Sequence, residues 1–276
     1  MQRQQTLSEP LDFEGHGLHT GAPARVRLWP SAADSGIRFR LDDVEFPALA
    51  EYVVDTQRAT VLGSGGRSVS TVEHVLSALT GMEIDNALIE VDGPEIPALD
   101  GSARIFADAI ARGGASVQAA PRRTFTVDAP RWYRDREALL VVLPADTWRI
   151  RFLADFPAPV GTQYFDGEIE PERYRAQIAP SRTFAYLHEV EALRARGLAK
   201  GGTLDNALVF GPEGPLTPLR APGEVVAHKV LDLIGDLTLL GARPACEFVA
   251  VKSGHRLHAE AARELRAARG AAAVVR

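Results

Sequence analysis

The stretch Glu224-Val225-Val226-Ala227-His228-Lys229-Val230-Leu231-Asp232-Leu233-Ile234-Gly235-Asp236-Leu237-Thr238-Leu239-Leu240-Gly241 decides how the rest of the chain is read. Val226, Val230, Leu233, Leu237 and Leu240 recur at spacings of three and four, the pattern of an amphipathic helix. Gly241 follows the last periodic residue and is a helix stop. His228, Asp232 and Asp236 fall at i, i+4 and i+8, so their side chains stack along one stripe of that helix. An imidazole and a carboxylate one turn apart can both reach a single ion. A solvated polar face that happens to contain a histidine accounts for the same spacing, because every amphipathic helix has such a face.

Outward from this helix, the chain of 276 residues is long enough for one large or two medium domains with a sizeable core. A net charge of −5, with no dense Lys/Arg patch interleaved with aromatics, argues against nucleic-acid binding. Cys246 is the only cysteine, which excludes an intrachain disulfide and a cysteine-rich zinc site and suits a reducing cytoplasm. The N-terminal Met1-Gln2-Arg3-Gln4-Gln5 lacks the apolar run of a signal peptide, and the greasy stretch from Ala138 to Leu143 is too short to span a bilayer. The expectation is a cytoplasmic protein with no stable membrane anchor.

Alternating apolar residues predict strands at 24–29 and 37–41; further strands are expected at 86–91, 125–127, 138–143, 148–156, 207–210 and 246–251, with a hairpin turning at Gly63-Ser64-Gly65-Gly66. Helices are expected over 70–79, 102–111 and 188–196, and in the Ala- and Arg-rich tail from Ala259. Ser70 and Glu73 sit three apart and match a capping box, a purely structural role for Glu73. Residues 117–123, around Ala119-Ala120-Pro121, are the best linker candidate. Asp85-Asn86-Ala87-Leu88 recurs as Asp205-Asn206-Ala207-Leu208, a thin basis for an internal duplication. Strands and helices mix without strict βαβ alternation, which points to α+β domains.

Without cysteine clusters, a metal site has to draw on histidines and carboxylates, a donor set suited to zinc or another borderline divalent ion. Glu73-His74 on one helix and His228-x-x-x-Asp232 on another offer two imidazoles, one carboxylate and a spare carboxylate. Three protein ligands leave a coordination position free, as in catalytic zinc sites, and a carboxylate beside it is a general base for water. Set against this, a lone histidine among apolar neighbours, such as His74, is more often a satisfied core residue.

A series of motifs then stands in order along the chain: Gly17-Leu18-His19-Thr20-Gly21; Ser70-Thr71-Val72-Glu73-His74; Asp85-Asn86 with Pro94-Glu95-Ile96-Pro97 and Asp100-Gly101-Ser102; Ser181-Arg182-Thr183-Phe184; Gly201-Gly202 with Asp205-Asn206; His228-Lys229 with Asp232-x-x-Gly235-Asp236; and Lys252-Ser253-Gly254-His255. The series strongly resembles the UDP-3-O-acyl-N-acetylglucosamine deacetylases, the LpxC-type enzymes that commit precursor to lipid A, over residues 5 to 258 or so. The resemblance implies that His74, His228 and Asp232 hold zinc, with ferrous iron as the other ion such a set accepts. It implies Glu73 as general base, His255 as the protonated group that stabilises the oxyanion and serves the leaving amine, and Asp236 as the carboxylate orienting that histidine. Thr183 corresponds to a threonine supporting the tetrahedral intermediate. Lys229 and Lys252 correspond to lysines facing the anionic substrate, and Phe184 to a residue lining the acyl passage.

The resemblance also implies two similar α+β domains, each a sheet layered with helices, with the active site between them. These are expected at 1–119, with a small insert near 36–62, and at 120–276, with an insert near 184–212. A monomer acting on a UDP-linked acylated amino sugar is expected. His16, His188 and His258 gain no role and are read as surface residues. Two competing readings remain at this level: a related deacetylase of another N-acetyl sugar, and a non-catalytic nucleotide-sugar-binding relative. The pair Glu73 plus His255 has no use in a binding module.

Overall fold

A computed structural model describes residues 2–273. Two five-stranded sheets dominate it. The first is built from β1 (Leu11–His16), β2 (Pro23–Pro30), β3 (Ile37–Leu41), β4 (Val44–Pro47) and β5 (Ala87–Asp92), in the spatial order β1-β2-β5-β3-β4. The second is built from β6 (Arg131–Asp135), β7 (Ala138–Pro144), β8 (Arg149–Asp155), β9 (Thr162–Glu168) and β10 (Cys246–Val251), in the order β6-β7-β10-β8-β9. In both, two hairpins are laid down first and a late strand enters between them. That late strand runs antiparallel to one hairpin and parallel to the other.

Alternation fixes which face is buried, because successive strand residues point to opposite sides. Val26, Leu28, Phe39, Leu41, Ile89 and Val91 face inward from the first sheet; Leu140, Val142, Ile150, Phe152, Phe248 and Ala250 do so from the second. The register is matched as well: Leu28 and Phe39 flank Ile89 as Val142 and Ile150 flank Phe248.

The five longer helices are α1 (Glu73–Gly81), α2 (Arg104–Gly113), α3 (Leu187–Ala195), α4 (Glu224–Leu237) and α5 (His255–Ala273). Four of them cover those inner faces, and the other, α3, packs on a small separate sheet. In each half one helix precedes the late strand (α1 before β5, α4 before β10) and another follows it (α2, α5). The topology is therefore duplicated. The Asp-Asn-Ala-Leu match does not report this, since Asp85-Asn86 leads into β5 while Asp205-Asn206 leads into a small separate strand, Leu208–Gly211.

The central helix ends in a 3₁₀ turn, Thr238–Leu240, closed by Gly241 at φ 70°, in keeping with the sequence stop. Its polar stripe is not solvated. His228, Asp232 and Asp236 are all buried, because α4 lies against α1 on one side and the second sheet on the other.

Several expectations need correcting. The stretch 117–123 is no open linker: Ala115–Pro121 is a strand paired antiparallel with Arg3–Leu7, so its backbone groups are spent in a ladder. Residues 37–47 belong to the first main sheet, and the small sheet of that half is Val53–Asp55, Val61–Ser64 and Arg67–Val69, later than the insert expected near 36–62. No such shift is needed in the second half, whose small sheet runs from Phe184 to Pro215, on the stretch read as the insert near 184–212. The C-terminal helix starts at His255 rather than Ala259.

Candidate active site

The two helices α1 and α4 cross so closely at Gly235 that a Cβ there would sit inside the van der Waals envelope of the Glu73 carbonyl oxygen. Glycine at that point lets the backbones touch. The crossing brings the first turn of α1 against the C-terminal half of α4, and with it Glu73 and His74 against His228, Asp232 and Asp236. The capping box is not formed: the residue preceding α1 is Val72 with no side-chain cap. Glu73 turns inward instead, and its Oε2 accepts the backbone N–H of Thr60 at 3.0 Å.

His74, His228 and Asp232 offer ligand atoms that all lie within 4.8 Å of one another, and all three residues are buried. His228 Nδ1–H donates to the Ser181 carbonyl at 3.1 Å, which leaves Nε2 as the free lone pair, 3.4 Å from Asp232 Oδ1. The Ser181 carbonyl is held by its neighbour: Arg182 is buried and bonds Glu224, at the start of α4, through Nε at 2.8 Å and its backbone N–H at 3.1 Å. Burial and the adjacent His228 hold the His74 imidazole down at about 3, and burial also lowers His228, so both rings are neutral donors near pH 7. Burial alone would raise Asp232, but the charges of Lys229 and the surrounding histidines keep it well below the usual carboxylate range. Two neutral imidazoles and one carboxylate, buried and convergent, are a fitting set for a borderline divalent cation.

His255, the first residue of α5, completes the cluster. Its Nδ1 donates to Asp236 Oδ2 at 2.8 Å, and its Nε2 lies 3.9 Å from both Glu73 Oε1 and Asp232 Oδ2. Burial favours the neutral ring, but the Asp236 charge and hydrogen bond, with Glu73 and Asp232, outweigh it and raise His255 to about 9. Burial pushes the Glu73 carboxyl up to about 7; His255 pulls it the other way, and Asp232 and Asp236 add to the rise. Burial would raise Asp236 too, yet His255 and His258 hold it down at about 2. A carboxyl near neutrality thus stands beside an imidazolium whose charge is fixed by a buried carboxylate, the pairing a base and an acid require.

The cluster forms the floor of a cleft of about 660 Å³ whose walls are largely apolar, including Leu18, Phe156, Phe184, Leu193 and Val209. A sequence profile described as UDP-3-O-acyl N-acetylglycosamine deacetylase (LpxC) matches residues 4–267. The chain belongs to this deacetylase family.

Among relatives of that name, the UDP-3-O-acyl-N-acetylglucosamine deacetylase of Anaeromyxobacter sp. (strain Fw109-5) is 46% identical over 278 residues, spanning 99% of this chain and 91% of the relative. That of Nostoc sp. (strain PCC 7120 / SAG 25.82 / UTEX 2576) is 44% identical over 274 residues, spanning 95% and 98%. That of Phenylobacterium zucineum (strain HLK1) is 43% identical over 273 residues, spanning 96% and 93%.

In this deacetylase-family chain the remaining expected residues are placed unevenly. Thr183 and Phe184 line the cleft, and the Phe184 ring stands edge-on to His228 with centroids 6.2 Å apart. Lys229 also lines the cleft, but its Nζ is turned back onto Asp232 Oδ2 at 2.7 Å. Lys252 is not on the cleft wall; its Nζ bridges Asp155 at 2.8 Å and Glu137 at 3.1 Å. The surface reading holds for His16 and His188, which are exposed. It fails for His258, which is fully buried with Nδ1 2.7 Å from Asp236 Oδ2.

Two further partners escaped the sequence. Thr60 Oγ1 donates to Asp236 Oδ1 at 2.6 Å while its backbone holds Glu73, so one residue steadies both carboxylates. Glu95 is buried and accepts from the backbones of His19 and Thr20 and the hydroxyls of Thr20 and Thr71. It ties the Gly17–Gly21 motif to the entry of α1, which gives that motif a structural job. Neither Thr60 nor Glu95 sits in a chemical pattern of its own; only the in-register Pro94–Pro97 motif signalled Glu95.

Proposed function

We propose that the chain removes the N-acetyl group from UDP-3-O-acyl-N-acetylglucosamine, giving UDP-3-O-acyl-glucosamine and acetate, the committed step of lipid A biosynthesis. The observation that carries this reading is the buried His74–His228–Asp232 set flanked by Glu73 and His255 on the floor of an apolar-walled cleft. A zinc ion held by the three ligands would polarise the acetamide carbonyl and acidify water, and ferrous iron would suit the same donors.

The chain's own residues then divide the proton traffic. Glu73, ionised near neutrality and held at Oε2 by Thr60, has Oε1 turned toward His255 and takes the proton of the attacking water. His255, kept protonated by Asp236, presents Nε2–H to the developing oxyanion and delivers a proton to the leaving nitrogen. Water adds to the acyl carbon, the C–N bond breaks, and acetate and the free amine leave. Thr183, on the cleft wall, supports the tetrahedral intermediate through its hydroxyl, and Lys229, on the same wall, would turn its ammonium from Asp232 to the anionic nucleotide. For Lys252 to serve the diphosphate it would have to turn from both Asp155 and Glu137 toward the cleft.

The apolar walls suit the 3-O-acyl chain, which the Phe184 side of the cleft would admit. Among the described residues no helix is long and apolar enough to cross a membrane. We place the reaction in the cytoplasm, carried out by a monomer. Acetate release should be measured from UDP-3-O-(3-hydroxyacyl)-N-acetylglucosamine and from UDP-N-acetylglucosamine lacking the acyl chain. Turnover of the first and little of the second is expected. Equal turnover of both would show that the cleft does not read the acyl chain and would overturn the substrate assignment.

A further inference from the structure

Asp236 is fully buried and ionised, so its lone pairs need donors, and the roles drawn from sequence supply only one, His255. The structure supplies three. Thr60 Oγ1 donates to Oδ1, while Oδ2 is shared by His255 Nδ1 at 2.8 Å and His258 Nδ1 at 2.7 Å. His258 lies one turn beyond His255 on α5, with its ring centroid 6.4 Å away.

The tautomer of His258 follows from its partners. A carboxylate only accepts, so Nδ1 carries the proton; Nε2 is then an acceptor, and the Ser253 hydroxyl donates to it at 2.8 Å. Burial keeps the ring from taking a second proton. A neutral donor fixes the carboxylate plane without cancelling its charge, so the whole charge stays available to His255. A charged partner at the same place would divide it.

We propose that His258 is a positioning residue for the deacetylation: its Nδ1–H locks Asp236 in the plane that aims His255 Nε2 at the space between Glu73 and Asp232. This rests on the deacetylase reading above. A merely structural role is the competing account, since a fully buried imidazole with both nitrogens satisfied also packs the start of α5.

The two nitrogens can be separated by substitution. An asparagine amide reaches the Nδ1 position and a glutamine amide the Nε2 position. Relative to the wild type, His258→Ala should lower kcat about tenfold or more, the scale of one hydrogen bond to a charged carboxylate, with KM and bound metal unchanged. His258→Asn should recover most of that loss and His258→Gln should not. In the substrate-free protein, the downfield Nδ1–H proton resonance of His255 should stay in place in His258→Asn and move in His258→Gln. Equal kcat for the two variants, an unmoved resonance in both, or a loss confined to KM or Tm would overturn the proposal. Should the wild type release no acetate, the deacetylase reading fails on its own, while the resonance comparison still decides whether His258 positions His255.

Discussion

Helices α1 and α4 are counterparts in a duplicated topology, each preceding the late central strand of its sheet, yet they load the site differently. α4 carries His228, Asp232 and Asp236 along three successive turns of one buried stripe. α1 carries Glu73 and His74 side by side in its first turn, where they diverge: His74 joins the ligand set and Glu73 turns toward Thr60 and His255. One helix therefore sets the spacing of the site, and the other adds a ligand and a base that acquire meaning only when it docks. Gly235, with no side chain to hold the backbones apart, is where the two contributions meet.

The sharpest way to break this pairing is to remove the α4 ligand. His228→Ala should abolish tight metal binding, measured as bound metal per chain after dialysis, and drop turnover to the level of chelated protein. Glu73→Gln should leave metal binding intact and cost roughly 10²–10⁴ in kcat, the usual worth of a general base. Equal loss of metal in the two variants would erase the division of labour between the helices.

The pH profile tests the same division more gently. Glu73 must be ionised and is raised to about 7, so activity climbs as pH rises through that region. His255 must be protonated and is raised to about 9, so activity falls as pH rises through that value. A cation among the ligands draws the lower limb toward more acid pH and leaves the upper limb, governed by Asp236, in place. A kcat/KM that stays flat between about pH 6 and 10 would contradict the base–acid pair. The smallest effect is expected at the crossing itself. Gly235→Ala forces the two backbones apart and should destabilise the fold by about 1–3 kcal/mol, read as a lowered Tm together with weaker metal binding.

The same contrast explains what could be read from the sequence. The periodicity of 226–240 and its Gly241 stop are local properties of one helix, so the α4 stripe was legible as a ligand-bearing face or a solvated one. Burial between α1 and the second sheet removes the solvated option, and burial is a tertiary fact. Glu73 was harder, because Ser70-x-x-Glu73 satisfies a capping rule that the backbone does not use; a buried hydrogen bond from Thr60, thirteen residues earlier, competes for the carboxylate. His258 was missed for a similar reason. Its partners are Asp236, which is distant in sequence, and Ser253, and nothing in the Ala-rich tail marks a histidine as buried. The apparent linker around Ala119-Ala120-Pro121 has loop composition, but pairing with Arg3–Leu7 makes it a strand. The strands expected at 138–143, 148–156 and 246–251, by contrast, survived almost unaltered as β7, β8 and β10, each burying an apolar face.

The most direct test of the account is to strip the protein of metal with a chelator, restore zinc in steps, and follow acetate release from UDP-3-O-(3-hydroxyacyl)-N-acetylglucosamine. The account predicts no turnover in the stripped protein and recovery that saturates at one zinc per chain. Full turnover after complete removal of metal would contradict it, because Glu73 and His255 would then be working without the ion that His74, His228 and Asp232 converge to hold.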